Sequence, residues 1–531
     1  MTPRKMPIGI QDFEDIRTSG YVYADKTAYV YRLANEGKPY FLSRPRRFGK
    51  SLLLSTLKAY FLGKRELFGE LAGQDRLAGQ GKLAIADLET DWIQYPVFHI
   101  DLNAEKYDSP ASLEAILDKY LQDGEELWGG SRSETASMRF LGLIQRACEK
   151  TGKRVVVLID EYDKPLLESM EKPELNEQFR LTLKAFYGVL KTADPWLRFA
   201  FLTGVTKFSQ VSVFSDLNQL RDISLDRDFA GVCGITRSEL TGTFEPELRI
   251  LARDNNMSYE EALGETQKRY NGYHFSENTE GVFNPFSILN TLVSRDFRYY
   301  WFQTGTPTFL IKLLRQADFD IRRFSGDITI DPESINSYRI QGGNPVSLLY
   351  QTGYLTITGY DAEANLFSLG FPNEEVEYGF LNALLPYYGP EPGEQDFFAG
   401  KFFMDLRAGD VEGFMTRLRA FFSSIPYDLH ERTERYYQTV FYLVFRLLGQ
   451  YAGAEVRSAA GRADAVVTTK ERVYVFEFKL SGNGTAEDAL KQIEEKGYLI
   501  PWTAGGRKLV KVGAVFDAAL RTLGEWKAEP G

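Results

Sequence analysis

From about residue 20 to residue 240 the apolar positions switch between two periods. "VVVLI", Val155–Ile159, is continuously apolar, the pattern of a central parallel strand covered on both faces. "PYFLS", "YPVFHIDLN" (Tyr95–Asn103) and "LRFAFLTGVTKF" read as further strands. Between them the apolar residues recur at helical spacing. "TAYVYRLANEG" predicts a helix closed by Gly37, and "KSLLLSTLKAYFLG" one with Leu53, Leu57 and Tyr60 on one stripe, closed by Gly63. "SMRFLGLIQRACEKTG" and "LKAFYGVLKTAD" predict two more helices. Strands alternating with helices predict an α/β fold, a parallel sheet with helices on both faces.

The pattern loosens from about 240 to 420, where aromatics, asparagines and prolines crowd "RYNGYHFS" and "VFNPFSILN". Short helices are expected there, with a small β segment at "YLTITGYD". From about 425 the periods sharpen again. "DLHERTERYYQTVFYLVFRLLGQY" predicts a long amphipathic helix, and "GRADAVVTT" and "RVYVFEFKL" predict two strands turning at Lys470-Glu471. "SGNGTAEDALKQIEEKGYL" gives a Gly-rich loop and a helix, and "KLVKVGAVFD" a last strand. The expected organisation is three domains, 1–240, 241–420 and 421–531. A length of 531 residues agrees, at roughly 100–200 residues per domain.

Composition narrows the function classes. A formal net charge of −10 excludes a protein that coats nucleic acid by bulk charge, so any such contact needs a local basic patch. The two cysteines, Cys148 and Cys233, stand in no metal-ligand pattern, which argues against a disulfide scaffold and fits a reducing cytosol. A cytoplasmic location is therefore expected. The N-terminal "MTPRKMPIGIQDF" has no apolar signal core, and the longest apolar stretch is interrupted by Gln438 and Arg446, so no membrane partner is expected. The three histidines, His99, His274 and His430, are too scattered to suggest a histidine metal site or triad.

Gly49-Lys50-Ser51 is the tail of a phosphate loop, G-x-x-x-x-G-K-[ST], with Arg44 where the first glycine is usual. It follows an apolar strand and opens a helix, whose N-terminal N–H groups favour anions. In that setting Lys50 reaches the β- and γ-phosphates and the Ser51 hydroxyl ligates Mg²⁺. "VVVLIDEYD" supplies the second half: Asp160 to hold Mg²⁺ through water and Glu161 to polarise the attacking water, both at the strand's C-terminal edge. Thr203, ending another apolar strand, is the candidate sensor of the γ-phosphate. Arg46, Arg47, Arg198 and Arg221 offer charge that the sequence alone cannot assign. The bland alternative is a turn with a helix cap beside an exposed strand end.

"YADKTAYVYRL", "FLSRPRRFGKSLLLSTL", "LIDEYDKPL" and "LTGVTKFSQVSVFSDLNQL" resemble the AAA-ATPase-like family, P-loop ATPases of prokaryotes and some microbial eukaryotes, over about residues 5–290. The resemblance makes Arg44 a family trait and implies ATP and Mg²⁺ as cofactors. It carries Lys50, Ser51, Asp160 and Glu161 into those roles; with the residues read above, the expected nucleotide-binding set is Arg44, Arg46, Arg47, Phe48, Gly49, Lys50, Ser51, Asp160 and Thr203, with Glu161 catalytic. The chain also resembles archaeal-type regulatory ATPases whose ATPase units feed a winged-helix-like region, which would begin near "YNGYHF".

A second constellation lies near the C-terminus. In "GRADAVVTTKERVYVFEFKL" the strand period of two puts Glu477 and Lys479 on one face. A hairpin at Lys470-Glu471 would bring Asp464 level with Glu477, so that both carboxylates converge on one Mg²⁺. Phosphodiester cleavage asks for such a cation, held by hard oxygen ligands, and for a positive group such as Lys479. Glu434 on the preceding helix and Gln492 on the following one are accessory candidates. The bland alternative is a solvated hairpin face. "ERTERYYQTVFYLVFRLLG", "GRADAVV", "VYVFEFKL" and "AEDALKQIEEKGY" resemble the PD-(D/E)xK nuclease superfamily, of restriction-endonuclease-like α/β fold. The resemblance carries Asp464, Glu477 and Lys479 into the catalytic core, although Ala463 stands where the name-giving proline would be. The expected protein is an ATPase fused to a metal-dependent nuclease. Its expected partner is nucleic acid, DNA before RNA, and a homo-oligomer stays open. The competing expectation is a nucleotide-dependent switch whose nuclease-like domain binds without cutting.

Overall fold

The computed structural model describes residues 4–70, 81–130, 134–207, 214, 217, 219–304, 308–326, 328–336, 344–388, 399–425, 434–452, 463–517 and 519–531. Two compact units make up the chain: Met1–Trp301 with Thr329–Asn373, and Phe302–Ile328 with Glu374–Gly531. The stretch 241–420 is shared between them.

The first unit is built on five parallel strands, Pro39–Ser43 (β1), Val97–Asp101 (β2), Val155–Asp160 (β3), Leu197–Gly204 (β4) and Arg221–Asp222 (β5), in the order β2-β3-β4-β1-β5. All six residues of β3 are buried, as its unbroken apolar run requires. β4 lies between β1 and β3, so its C-terminal end separates the phosphate loop from the acidic end of β3. The helix Thr27–Glu36 ends at Gly37 and the helix Lys50–Phe61 follows Gly49, as their spacing predicts. Arg139 joins the helices Pro110–Trp128 and Ala136–Thr151 through bonds to Asp118 at 2.6 Å and Glu125 at 2.7 and 2.9 Å.

The middle of the chain is helical. Capping boxes at Thr236–Glu239 and Ser258–Glu261 start the helices Arg237–Thr243 and Tyr259–Tyr270, satisfying N–H groups the first turns leave unbonded. Leu240, Phe244, Leu248, Leu251, Leu263 and Ile288 bury their apolar faces together. A small sheet follows, Ile328–Ile330 (β6), Thr356–Asp361 (β7) and Leu366–Gly370 (β8), in which β7 and β8 pair antiparallel.

The second unit carries a mixed sheet of Ala465–Thr468 (β9), Arg472–Leu480 (β10), Lys508–Asp517 (β11) and Thr522–Pro530 (β12), ordered β12-β11-β10-β9. β9 and β10 form the expected antiparallel pair, and β10 runs parallel to β11. One expectation is corrected: β11 is not the last strand. "TLGEWKAEP" forms β12, an antiparallel edge whose polar residues face solvent, so no apolar run marks it in the sequence. The helix Ala486–Glu495 is capped by Thr485 and Asp488 and packs on β10 and β11. No helix among the described residues is long and apolar enough to cross a membrane.

Candidate functional site

The phosphate loop connects β1 to the helix Lys50–Phe61. Two of its residues take left-handed backbone, Arg47 at φ 67° and Gly49 at φ 88°. For a non-glycine this costs about 1 kcal/mol or more, so surrounding contacts must hold Arg47 there. Its guanidinium lies 3.8 Å from the centre of the Phe286 ring. Phe48 is buried edge-on against Tyr273 at 4.7 Å and Phe275 at 5.5 Å, and its carbonyl accepts from Gly234 N–H. Lys50 is buried, and its Nζ donates to the carbonyls of Arg44 at 3.1 Å and Pro45 at 3.3 Å and pairs with Glu161 at 3.5 Å. Ser51 follows in the first helical turn, half-buried. An apolar hollow of about 90 Å³ opens beside Gly49, lined by Phe48, Leu52, Val232, Cys233 and Ile235.

Facing Lys50 are the acids at the end of β3. Thr203 Oγ1 donates to Asp160 Oδ1 at 2.6 Å, and Glu161 N–H donates to the same oxygen at 3.0 Å. Glu161 itself has φ 50°, a second non-glycine residue in left-handed backbone at this site. Tyr162 N–H donating to Thr203 carbonyl at 2.9 Å and Lys164 N–H donating to Glu161 carbonyl at 3.0 Å fix the turn around it. Asp163 is fully buried and accepts from Val205 N–H, Thr206 N–H and Thr206 Oγ1, so the turn is tied to the end of β4. Burial, with Glu161 nearby, pushes the Asp163 carboxyl up to about 6. Gly204 is needed for this approach, because a Cβ on it would meet the Tyr162 ring at 2.6 Å.

The structure therefore brings Lys50, Asp160, Glu161 and Thr203 together. Arg44 is a correction. It is 1% exposed, donates to the carbonyls of Ser43, Ser224 and Phe229, and stacks over Phe275 at 4.0 Å. It braces the sheet and the loop, with its guanidinium committed to protein carbonyls. Phe48 packs against the aromatic pair and also lines the hollow. Arg198 lies over Phe61 and Tyr95, and Arg221 pairs with Asp226, so neither joins Lys50. Of the loop arginines Arg46 is the exposed one.

Three polar residues of this site were not singled out by sequence reasoning. Asp163 and Lys207 are buried, and Asp101 is in register with Asp160 across β2 and β3. Burial, followed by the charges of Asp160 and Glu161, raises the Asp101 carboxyl. Lys207 Nζ reaches Asp222 at 2.8 Å and Asn336 at 2.6 Å. The Asp101 signal was present: "FHID" is an apolar strand ending in an acid, like β3.

In the second unit, Asp464 precedes β9 and its Oδ2 accepts from Phe478 N–H at 2.8 Å, which fixes the carboxylate beside β10. Glu477 and Lys479 share one face of β10, and Lys479 Nζ donates to Glu477 Oε1 at 3.3 Å. Gln492, from the helix Ala486–Glu495, bridges them: its Nε2 donates to Glu477 Oε1 and its Oε1 accepts from Lys479 Nζ. Phe476 and Phe478 point the other way, against Phe441 and Phe445 of the helix Glu434–Ala452. Glu477 is 4% exposed, and its Oε2 has no partner among the described residues. Burial, followed by the Asp464 charge, pushes its carboxyl up to about 7. Glu434 begins the long helix, but its side chain lies outside the described residues, as does most of "SQVSVFSDL". Among the described residues no group of three or more His, Cys, Asp or Glu side chains is placed to hold a metal. The Asp464–Glu477 pair, with one buried oxygen unpartnered, still fits a hard cation that completes its shell with water.

A family model described as "Predicted AAA-ATPase" matches residues 7–214, and one described as "PD-(D/E)XK nuclease superfamily" matches residues 432–526. "Uncharacterized protein in vnfD 5'region" of Azotobacter chroococcum mcd 1 is 37% identical over 536 residues, covering 98% of each chain. Among solved structures, the ORC2 protein of Aeropyrum pernix (ADPNP-ADP complexes) is similar over 68% of this chain and 92% of that one, at 11% identity and a TM-score of 0.23, too low to argue from.

Proposed function

The chain belongs to one family with that Azotobacter protein and joins an AAA-ATPase-like domain to a PD-(D/E)XK nuclease superfamily domain, and from this membership we propose that it binds and hydrolyses ATP to control a metal-dependent nuclease acting on nucleic acid, DNA before RNA. The observation that carries the reading is the unpartnered Oε2 of buried Glu477 beside Asp464 and Lys479.

At the nucleotide site, Lys50 and the N–H groups opening the helix Lys50–Phe61 bind the phosphates. The hollow beside Gly49, with its apolar lining, would take the base. Both hydrogen bonds to Asp160 fall on Oδ1, which leaves Oδ2 for Mg²⁺, with the Ser51 hydroxyl as the second protein ligand. Glu161, held by the turn it sits in, orients the water that attacks the γ-phosphate. Thr203 keeps the Asp160 carboxylate in one rotamer.

At the nuclease site, Asp464 and Glu477 would hold Mg²⁺, which polarises the scissile phosphate and acidifies its water. Lys479 places positive charge where negative charge grows on the phosphate oxygens. Gln492 fixes both the lysine and the carboxylate, so neither needs to reorganise during reaction. Linear and circular DNA and RNA, incubated with the protein and Mg²⁺ or Mn²⁺, test the reading. Cleavage by the wild type and none by Asp464→Ala or Lys479→Ala is expected. Cleavage surviving both substitutions, or absent from a wild type that binds ATP, overturns the nuclease assignment and favours a switch that binds without cutting.

A further inference from the structure

Pro45, the residue after the absent loop glycine, packs against Gly353. A Cβ built on Gly353 would lie 2.7 Å from Pro45 Cβ and 2.8 Å from Pro45 Cγ, and Gly353 has φ 87°. Carbon atoms in contact rest about 3.5–4.0 Å apart, so any other residue at 353 would push the loop back by about 1 Å. Gly353 is not free to yield. It caps the helix Pro345–Gln351, with Gly353 N–H on Tyr350 carbonyl and Tyr354 N–H on Leu349 carbonyl. Three residues later Thr356 Oγ1 accepts from His274 N–H at 2.7 Å, which joins this segment to Tyr273 and Phe275, the rings that hold Phe48. Gln351, in the same helix, accepts from Lys207 N–H at 2.7 Å just beyond β4. One surface thus supports the loop from Pro45 to Phe48 and is bonded to the segment after Thr203.

We propose that Gly353 is a positioning residue for the phosphate loop: the close approach it allows, with Tyr273 and Phe275 beside it, sets where Lys50 and the helix N-terminus meet phosphate. It touches no phosphate itself. The close fit that a loop glycine usually permits is obtained here from a glycine on the opposing surface, which leaves room for Pro45. The inference rests on the nucleotide reading above. Misplacing a binding group by about 1 Å is enough to cost much of its contribution.

The test is a double-mutant cycle on affinity for the fluorescent analogue MANT-ATP with Mg²⁺. Gly353→Ala raises Kd about tenfold in the Pro45 background and less than twofold in a Pro45→Gly background, where the opposing carbons are gone. An equal factor in both backgrounds, or no change in either, overturns the proposal. Should Gly353→Ala fail to fold, hydrogen exchange on the unsubstituted protein decides. MgATP slows exchange at residues 349–355 as well as 50–61 if the surface and the loop are one unit, and slowing confined to 50–61 refutes that. An unsubstituted protein that does not bind MANT-ATP fails the nucleotide reading first, and the inference falls with it.

Discussion

At the end of β3, Asp160 accepts two hydrogen bonds and Glu161 sits in a turn fixed by its neighbours, whereas on β10 Glu477 buries an oxygen that no described residue satisfies. The first site is held together by protein bonds alone, and Lys50 already has Glu161 and two carbonyls as partners. The second holds two carboxylates, and burial, followed by the Asp464 charge, pushes the Glu477 carboxyl up to about 7. A buried, unpartnered carboxylate oxygen is costly and persists where a cation completes it. The acids at the end of β3 are therefore held by protein hydrogen bonds, whereas Glu477 on β10 keeps one buried oxygen without a partner among the described residues.

Substitutions should separate the two. Lys50→Ala is expected to lower ATP turnover about 10²–10³-fold while leaving the divalent-metal affinity of the C-terminal unit unchanged, measured by phosphate release and titration calorimetry. Unchanged turnover would remove Lys50 from the phosphate site. Glu161→Gln should reduce turnover about 10²-fold with nucleotide affinity retained, since it removes a base and not a phosphate contact. Turnover at the wild-type rate would end its water-orienting role. In the other unit, Mn²⁺ at a hundred times its Kd should stabilise the protein by about 2.7 kcal/mol, and Glu477→Gln should abolish that gain. An equal gain in both proteins would place the metal elsewhere.

A pH series sharpens the contrast further. Without metal, Glu477 is raised from its ordinary 4.5 to about 7, so the folded form holds a proton that the unfolded form has lost. Its contribution to stability is full below about 4.5 and is lost as pH rises through about 7. Relative to Glu477→Gln, the wild-type melting temperature of the second unit should fall by roughly 10 °C between pH 4.5 and pH 8. A pH-independent difference would mean that the carboxylate is satisfied by something else.

Local pattern carried much of this into view. An unbroken apolar run ending in Asp160-Glu161 and a strand alternation placing Glu477 beside Lys479 are statements about neighbours in sequence, and both elements formed where expected. What the sequence hid was approach between distant segments. Arg44 reads as a phosphate ligand until Ser224, Phe229 and Phe275 close over it. Gly353 carries no motif, and only its contact with Pro45 gives it meaning. Asp163 and Lys207 look like ordinary surface charges until burial and their fixed partners show otherwise. β12 was missed because an edge strand with one wet face lacks the apolar signal that marks buried strands.

The most direct test of the account is the rate of nucleic-acid cleavage with Mg²⁺, measured with and without ATP, in the wild type and in Lys50→Ala. The account predicts that ATP changes the wild-type rate, that Lys50→Ala cleaves at one rate whether or not ATP is present, and that Asp464→Ala does not cleave. A wild type that binds ATP and Mg²⁺ yet cleaves no DNA or RNA, or cleaves at a rate indifferent to ATP, would contradict it.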